Sequence, residues 1–179
     1  MSQKNKSTKF VNIADPLVSI ITPTYNRRNL LKRTLDSLVN QSYKNIEILV
    51  INDCGVNVED VVNEFKDNRI RYFQNDKNVG LAATRNVGLE NMRGDYFCLC
   101  DDDDIYMKYA IEIRMYLMKK LNAEASYTRS LLDHWEKRGD GYVSIGKTLY
   151  WSNPYFSKDL ILVQNLCPCS NSTVSRKAW

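Results

Sequence analysis

Four consecutive aspartates, Asp101-Asp102-Asp103-Asp104, carry the most chemical content in this chain. Adjacent carboxylates repel one another, and each unit of pKa shift costs about 1.4 kcal/mol, so the run calls for a divalent cation or a basic partner. In an extended segment, residues i and i+2 point to one side, which predicts Asp101 with Asp103 and Asp102 with Asp104. An Asp-x-Asp pair offers hard oxygen ligands suited to Mg²⁺ or Mn²⁺, with substrate phosphates completing the shell. The other reading is a solvated acidic turn that caps the next helix, with Asp104 as the cap. An EF-hand is excluded, because its central glycine and alternating ligands are missing.

Asp53 follows an apolar run and precedes Cys54-Gly55. It reads either as an acceptor for a nucleotide base or ribose hydroxyl, or as an Asx turn, which is common at Asn-Asp-x-Gly. Arg85 reads as a phosphate partner or as part of a solvated helix face. No Gly-x-Gly-x-x-Gly and no P-loop is present, which argues against Rossmann dinucleotide binding and NTP hydrolysis. His134 is the only histidine, and no Ser or Cys arrangement makes it part of a triad. The sequon Asn171-Ser172-Thr173 has meaning only in a secreted protein.

The elements that must position these residues follow from periodicity. Residues 18–21 read as a strand closed by Pro23, and apolar positions at helical spacing predict a helix over 29–42. Strands are predicted at 46–51, 69–73 and 96–100, and helices at 58–65, 82–92 and 109–121, with a polar loop at 74–80. Strands alternating with helices indicate βαβ units and a parallel sheet. In such a sheet, ligands bind beyond the carboxyl ends of the strands, near the point where strand order reverses. The strand ends here deliver Thr22-Pro23-Thr24-Tyr25-Asn26, Asp53, residues 75–80 and the aspartates. Beyond residue 122 the pattern degrades. Residues 125–132 and 142–149 read as strands, with Gly139, Gly141 and Gly146 interrupting any regular period.

Composition narrows the class. The chain has 179 residues, 44% hydrophobic and 26% charged, so one globular domain is expected and global disorder is excluded. No apolar run approaches the roughly 18 residues that span a membrane. A net charge of +4 is far from that of a dedicated nucleic-acid binder. The five cysteines, Cys54, Cys98, Cys100, Cys167 and Cys169, form no even framework and point to a reducing compartment. Cys98 and Cys100 lie in a strand-like run and read as core packing rather than as zinc ligands. Lys4, Lys6 and Lys9 are followed by no apolar segment, so no signal peptide is expected and the cytoplasm is the default.

Taken together, these residues resemble a known family. Pro16-Leu17-Val18-Ser19-Ile20-Ile21-Thr22-Pro23-Thr24-Tyr25-Asn26 resembles the opening strand and loop of family 2 glycosyltransferases with the GT-A fold. Asn40-Gln41-Ser42-Tyr43 is similar to that family's helix ending, and Ile51-Asn52-Asp53 to its second-strand aspartate. Asn78-Val79-Gly80 and Ala83-Thr84-Arg85-Asn86-Val87-Gly88-Leu89 resemble its asparagine-glycine and Arg-Asn segments. Gly94-Asp95-Tyr96 leads to the four aspartates at the Asp-x-Asp position. The likeness covers residues 16–113.

The resemblance implies an α/β GT-A fold, a mainly parallel sheet flanked by helices, with an irregular, incomplete acceptor-side last third. It implies a tail at 1–15, a nucleotide-sugar-binding part at 16–121 and the start of an acceptor part at 122–179. Pro23, Thr24, Tyr25, Asp53, Arg85, Asp101 and Asp102 would bind the nucleotide sugar, usually UDP-linked. Of these, Thr24 and Tyr25 would line the base pocket, and Asp53 would accept from the base. Asp101 or Asp102 would approach the ribose and sugar-phosphate, and Arg85 would face the phosphates or solvent. Asp103 would hold the divalent metal, Mn²⁺ or Mg²⁺. The reaction would be hexosyl transfer to a glycan or lipid-linked hydroxyl acceptor with inversion, in the cytoplasm or at the inner face of a membrane, and without nucleic acid. Its carboxylate base is expected beyond Trp179, past the segment 171–177, so the chain is expected to be a fragment. Asp133, Glu136, Asp140 and Asp159 are the acidic residues of the last third. The rival classes are a non-catalytic donor-binding module acting with a partner chain, and a metal-dependent phosphotransfer domain.

Overall fold

The computed structural model describes residues 15–128, 130–139, 141–150 and 172–178. The predicted tail short of Asp15, together with Asp140, Asp159, Cys167, Cys169, Asn171 and Trp179, lies outside the described residues. Eight strands and four helices are described: β1 (Val18–Thr24), α1 (Arg28–Val39), β2 (Ile46–Asn52), α2 (Glu59–Glu64), β3 (Ile70–Gln74), α3 (Leu81–Asn91), β4 (Tyr96–Leu99), α4 (Ala110–Leu121), β5 (Ala125–Tyr127), β6 (Ser130–Arg138), β7 (Gly141–Tyr150) and β8 (Ser172–Ser175).

Six strands form one sheet in the order β3-β2-β1-β4-β8-β5. β1, β2, β3 and β4 pair in parallel, whereas β8 runs antiparallel to both β4 and β5. The chain builds outward from β1 through β2 to β3, and then α3 carries it back to β4 on the other side of β1. Strand order therefore reverses between β1 and β4. That is the crevice where open α/β sheets bind ligands. β6 and β7 form a separate antiparallel ribbon, so the strand predicted at 125–132 divides between the main sheet and this ribbon.

Burial explains the layering. Every residue of β1 and β2 is buried, as central parallel strands covered on both faces require. Alternate positions feed opposite faces. Val18, Ile20, Ile48 and Val50 pack with Leu31, Leu35 and Leu38 of α1 and with Ile111, Met115 and Met118 of α4. Ile21, Leu49, Ile51 and Phe97 pack with Leu89 and Met92 at the α3 side. Cys98 and Cys100 are buried in the first of these clusters, where burial pushes both thiols up from their usual range. The core reading of these two cysteines holds.

Pro23 does not close β1, which runs on to Thr24 with Pro23 opposite Ile51. The N–H of Val18 donates to Asn45 O on the β2 side, so alternation turns position 23 toward β4. Pairing with β4 ends at Ile21, and a donor at position 23 would have no strand to meet. Gly88 lets α3 approach the sheet, because a Cβ there would overlap the Ile21 side chain.

Candidate nucleotide-sugar site

Four loops, those after β1, β2, β3 and β4, converge at the reversal point. The loop after β1 carries Tyr25, Asn26 and Arg27, and Asn26 takes a left-handed φ of 57°. Asparagine tolerates this conformation better than most residues. Its Oδ1 accepts from Val56 N at 2.8 Å, locking the first loop to the second. Gly55 permits that approach, since a Cβ there would lie 2.9 Å from both Asn26 N and Asn26 Oδ1.

Asn52 makes the turn in the second loop. Its Oδ1 accepts from Gly55 N at 2.9 Å, and its Nδ2 donates to Val56 O at 3.0 Å. Asp53 is thereby left to reach across to the third loop. It accepts from Asn75 Nδ2, Val79 N and Gly80 N, each at 2.9 Å. Asp53 is 5% exposed. Burial raises its pKa, but the bonds from Val79, Asn75 and Gly80 outweigh that and hold the carboxyl below its ordinary value. Gly80 is also the residue before α3, at φ 85°, so Asp53 fixes the start of that helix.

The aspartates form a turn rather than an extended segment. Asp104 N donates to Asp101 O at 3.0 Å, which overturns the predicted alternation of faces. Asp102 is buried and accepts from Thr24 Oγ1 at 2.8 Å. Asp102 and Asp103 turn to the same partner, Arg27, whose Nη1 lies 3.2 Å from Asp102 Oδ1 and 2.9 Å from Asp103 Oδ2. Asp101 instead pairs with Arg85 at 2.6 Å. Asp104 is not a helix cap, because α4 begins after Tyr109, and its carbonyl accepts from Thr34 Oγ1 at 2.8 Å. Burial holds the Asp102 carboxyl above its usual range against the opposing pull of Thr24 and Arg27.

A pocket of about 290 Å³ opens between these loops. Of the residues singled out from sequence, Pro23, Thr24, Tyr25, Asp53 and Asp102 line it. Arg85, Asp101 and Asp103 do not line it; Asp103 is tied to the lining residue Arg27, whereas Arg85 and Asp101 pair with each other. Arg27, Asn78, Gly80, Leu81 and Thr84 line it as well. Sequence offered little to single out Arg27, since Arg28 beside it is chemically identical and turns away to Asp60. Gly80 and Leu81 bring the start of α3 to the pocket, and a helix N-terminus favours negative charge there. Asp133 and Glu136 stand on the ribbon, engaged by Ser144 and Arg138 respectively.

Among the described residues, no group of three acidic, cysteine or histidine side chains could hold a metal by itself. Asp102 Oδ1 and Asp103 Oδ2 nevertheless converge on one cation, the guanidinium of Arg27. Two hard oxygens directed at one position fit Mg²⁺ or Mn²⁺, which bind through one or two carboxylates when phosphates supply further ligands.

The family model described as Glycosyl transferase family 2 matches residues 19–173. An uncharacterized glycosyltransferase of Rickettsia felis is 41% identical over 120 residues, which are 65% of this chain and 20% of that protein. Glycosyltransferase GlyA of Streptococcus pneumoniae is 43% identical over 95 residues, 51% of this chain and 14% of the relative. The chain thus spans a fifth or less of the length of these two relatives. S. aureus TarS 1-349, crystallised in complex with UDP-GlcNAc, superposes with a TM-score of 0.56 at 25% identity. That match covers 60% of this chain and 32% of the TarS fragment. Among the described residues, no helix is long and apolar enough to cross a membrane.

Proposed function

The chain belongs to glycosyl transferase family 2, and from that membership we propose that it binds a UDP-sugar with a divalent metal for transfer to a hydroxyl acceptor. One observation carries the reading. Thr24, Asp53 and Asp102, from the ends of β1, β2 and β4, line a single pocket at the point where strand order reverses. The UDP-GlcNAc complex of TarS supports a uridine donor.

Each side chain then has a task. Asp53 holds residues 75–80 in place and keeps acceptor capacity for the base, because three donors do not exhaust its lone pairs. Tyr25, 48% exposed, offers a ring face at the pocket mouth. Thr24 orients Asp102 toward the sugar-phosphate side. Asp103, with Asp102 beside it, would hold Mn²⁺ or Mg²⁺. When bound, the metal supplies Lewis-acid relief of charge on the departing nucleoside diphosphate. Arg85, which pairs with Asp101, would face the phosphates of the bound donor. Inversion at the sugar carbon calls for a carboxylate that deprotonates the acceptor hydroxyl. Asp53 and Asp102 are both engaged by donors, so neither is assigned that task. The acceptor is a glycan or a lipid-linked sugar.

Calorimetry with UDP tests the reading. Binding in Mn²⁺ that collapses in EDTA is the expected result. Equal affinity in both would count against a metal-bridged diphosphate, and no binding in either would remove the nucleotide assignment altogether.

A further inference from the structure

Arg27 is a residue of the pocket to which the proposed chemistry gives no task. Its Nη1 alone bridges a buried carboxylate, Asp102, and an exposed one, Asp103. Its pKa is raised, chiefly by the charge of Asp102. The oxygens it occupies are the two that converge for a cation. A divalent ion needs those oxygens at about 2.0–2.1 Å for Mg²⁺, which leaves no room for a guanidinium nitrogen between them.

We infer that Arg27 is a resident counter-cation, which holds Asp102 and Asp103 together until a divalent ion displaces it. The inference rests on the metal use proposed above. Like-charge repulsion would otherwise spread the two carboxylates, and the turn at 101–104 would lose its partner on the β1 loop. The arrangement has a cost for the metal. An ion arriving alone must break two charge-assisted contacts, and Arg27 then needs a new anion, since nearby Asp101 is already paired with Arg85. An ion arriving with a diphosphate brings that anion with it, and Arg27 is already a lining residue of the pocket. Metal and nucleotide therefore help each other to bind, and by linkage each does so by the same factor.

The test measures Mn²⁺ alone, by the paramagnetic resonance signal of the free ion, and Mn²⁺ with UDP by calorimetry. Arg27→Gln should bind Mn²⁺ alone about two- to fivefold more tightly than the parent, the size of a half-exposed ion pair. Arg27→Lys keeps the charge and should return affinity toward that of the parent. Adding Asp103→Asn to Arg27→Gln should abolish the gain. Arg28→Gln removes an equal charge at Asp60 and should change nothing. Unchanged or weaker Mn²⁺ binding in Arg27→Gln overturns the inference, as does an equal gain in Arg28→Gln. If UDP fails to bind the parent while the Mn²⁺ gain is seen, the donor reading falls and the counter-cation role stands. If no variant takes up Mn²⁺ with or without UDP, the proposed metal use and the counter-cation role both fall, and the donor reading is then decided by UDP binding alone.

Discussion

Thr24 Oγ1 donates to Asp102 Oδ2 at 2.8 Å, a bond between residues 78 positions apart that closes the gap between the ends of β1 and β4. It is made where pairing between these strands has already stopped, since their register ends at Ile21 and Leu99. A side-chain bond thus continues the contact that the backbone ladder gives up. Both partners are buried, so the bond fixes the geometry of the crevice in which the donor is proposed to bind.

Thr24→Val keeps the shape and removes the donor. The buried Asp102 oxygen then loses a partner, which should cost about 1–3 kcal/mol of stability. Chemical denaturation should show the midpoint falling without a change of slope. An unchanged midpoint would mean that water replaces the hydroxyl and that the bond is incidental.

The pKa of Asp102 is raised by burial, and two opposite pH effects follow. Metal needs the ionised carboxylate, so Mn²⁺-dependent UDP-sugar affinity should fall as pH drops from about 7 toward the carboxylate range near 4. The folded state, by contrast, binds the Asp102 proton more readily than the unfolded chain does. The Asp102 contribution to stability should therefore rise as pH falls through its folded pKa. Comparison with Asp102→Asn isolates both effects. A UDP-sugar is the right ligand, because its esterified diphosphate carries no proton in that range. If the parent and the variant share one pH profile, Asp102 does not titrate in the binding step.

The order of elements was legible because β1 and β2 are short runs rich in β-branched residues and α1 repeats leucine at helical spacing. The pocket residues Pro23, Thr24, Tyr25, Asp53 and Asp102 were legible as strand-end residues, since topology alone gathers strand ends. What remained hidden was pairing between distant charges. Nothing in the local sequence says that Arg27 turns to Asp102 and Asp103 while Arg28 turns to Asp60. Nor does it say that Glu47, within an apolar strand, is held by Ser19 Oγ at 2.6 Å and Arg71 Nη1 at 2.9 Å. The extended reading of the aspartates failed for a related reason. A single i to i+3 backbone bond turns the chain and sets aside a period-two argument.

Asp53→Ala should weaken uridine binding tenfold or more, since a bond to a charged acceptor is worth about 1.5–3 kcal/mol. Uridine has no phosphate, so the measurement is free of metal. The same substitution should speed hydrogen exchange at Val79 and Gly80, whose amides lose their acceptor. The folded pKa of Asp53 is depressed, so its stabilising effect is present above the unfolded value of about 3.9 and is lost as pH falls through the folded value. The stability difference between parent and variant should therefore shrink in acid. Parent-like uridine affinity with faster exchange would confine Asp53 to holding the loop.

Gly88→Val tests whether the approach of α3 to the sheet sets the pocket. Gly88 is buried against β1 and β2, and any Cβ there meets Ile21 and comes within 3.0 Å of Ile51 Cδ1. Both isoleucines sit in strands buried on both faces, so neither can move away cheaply, and the helix must shift instead. Overpacking of this kind costs about 1–3 kcal/mol. The shift should also be felt one turn earlier, because Thr84 lines the pocket, donates to Gly80 O at 2.9 Å and accepts from Asn75 at 3.3 Å. Uridine affinity should accordingly fall together with stability, although Gly88 is not among the residues lining the pocket. Gly139→Ala, in the turn between β6 and β7, serves as the comparison. A Cβ there meets nothing within 4 Å, and its φ of 61° alone makes the substitution unfavourable. That variant should lose stability without losing uridine affinity. A Gly88→Val protein that loses stability but binds uridine like the parent would show that the pocket is set by the loops alone, independently of how α3 seats on the sheet.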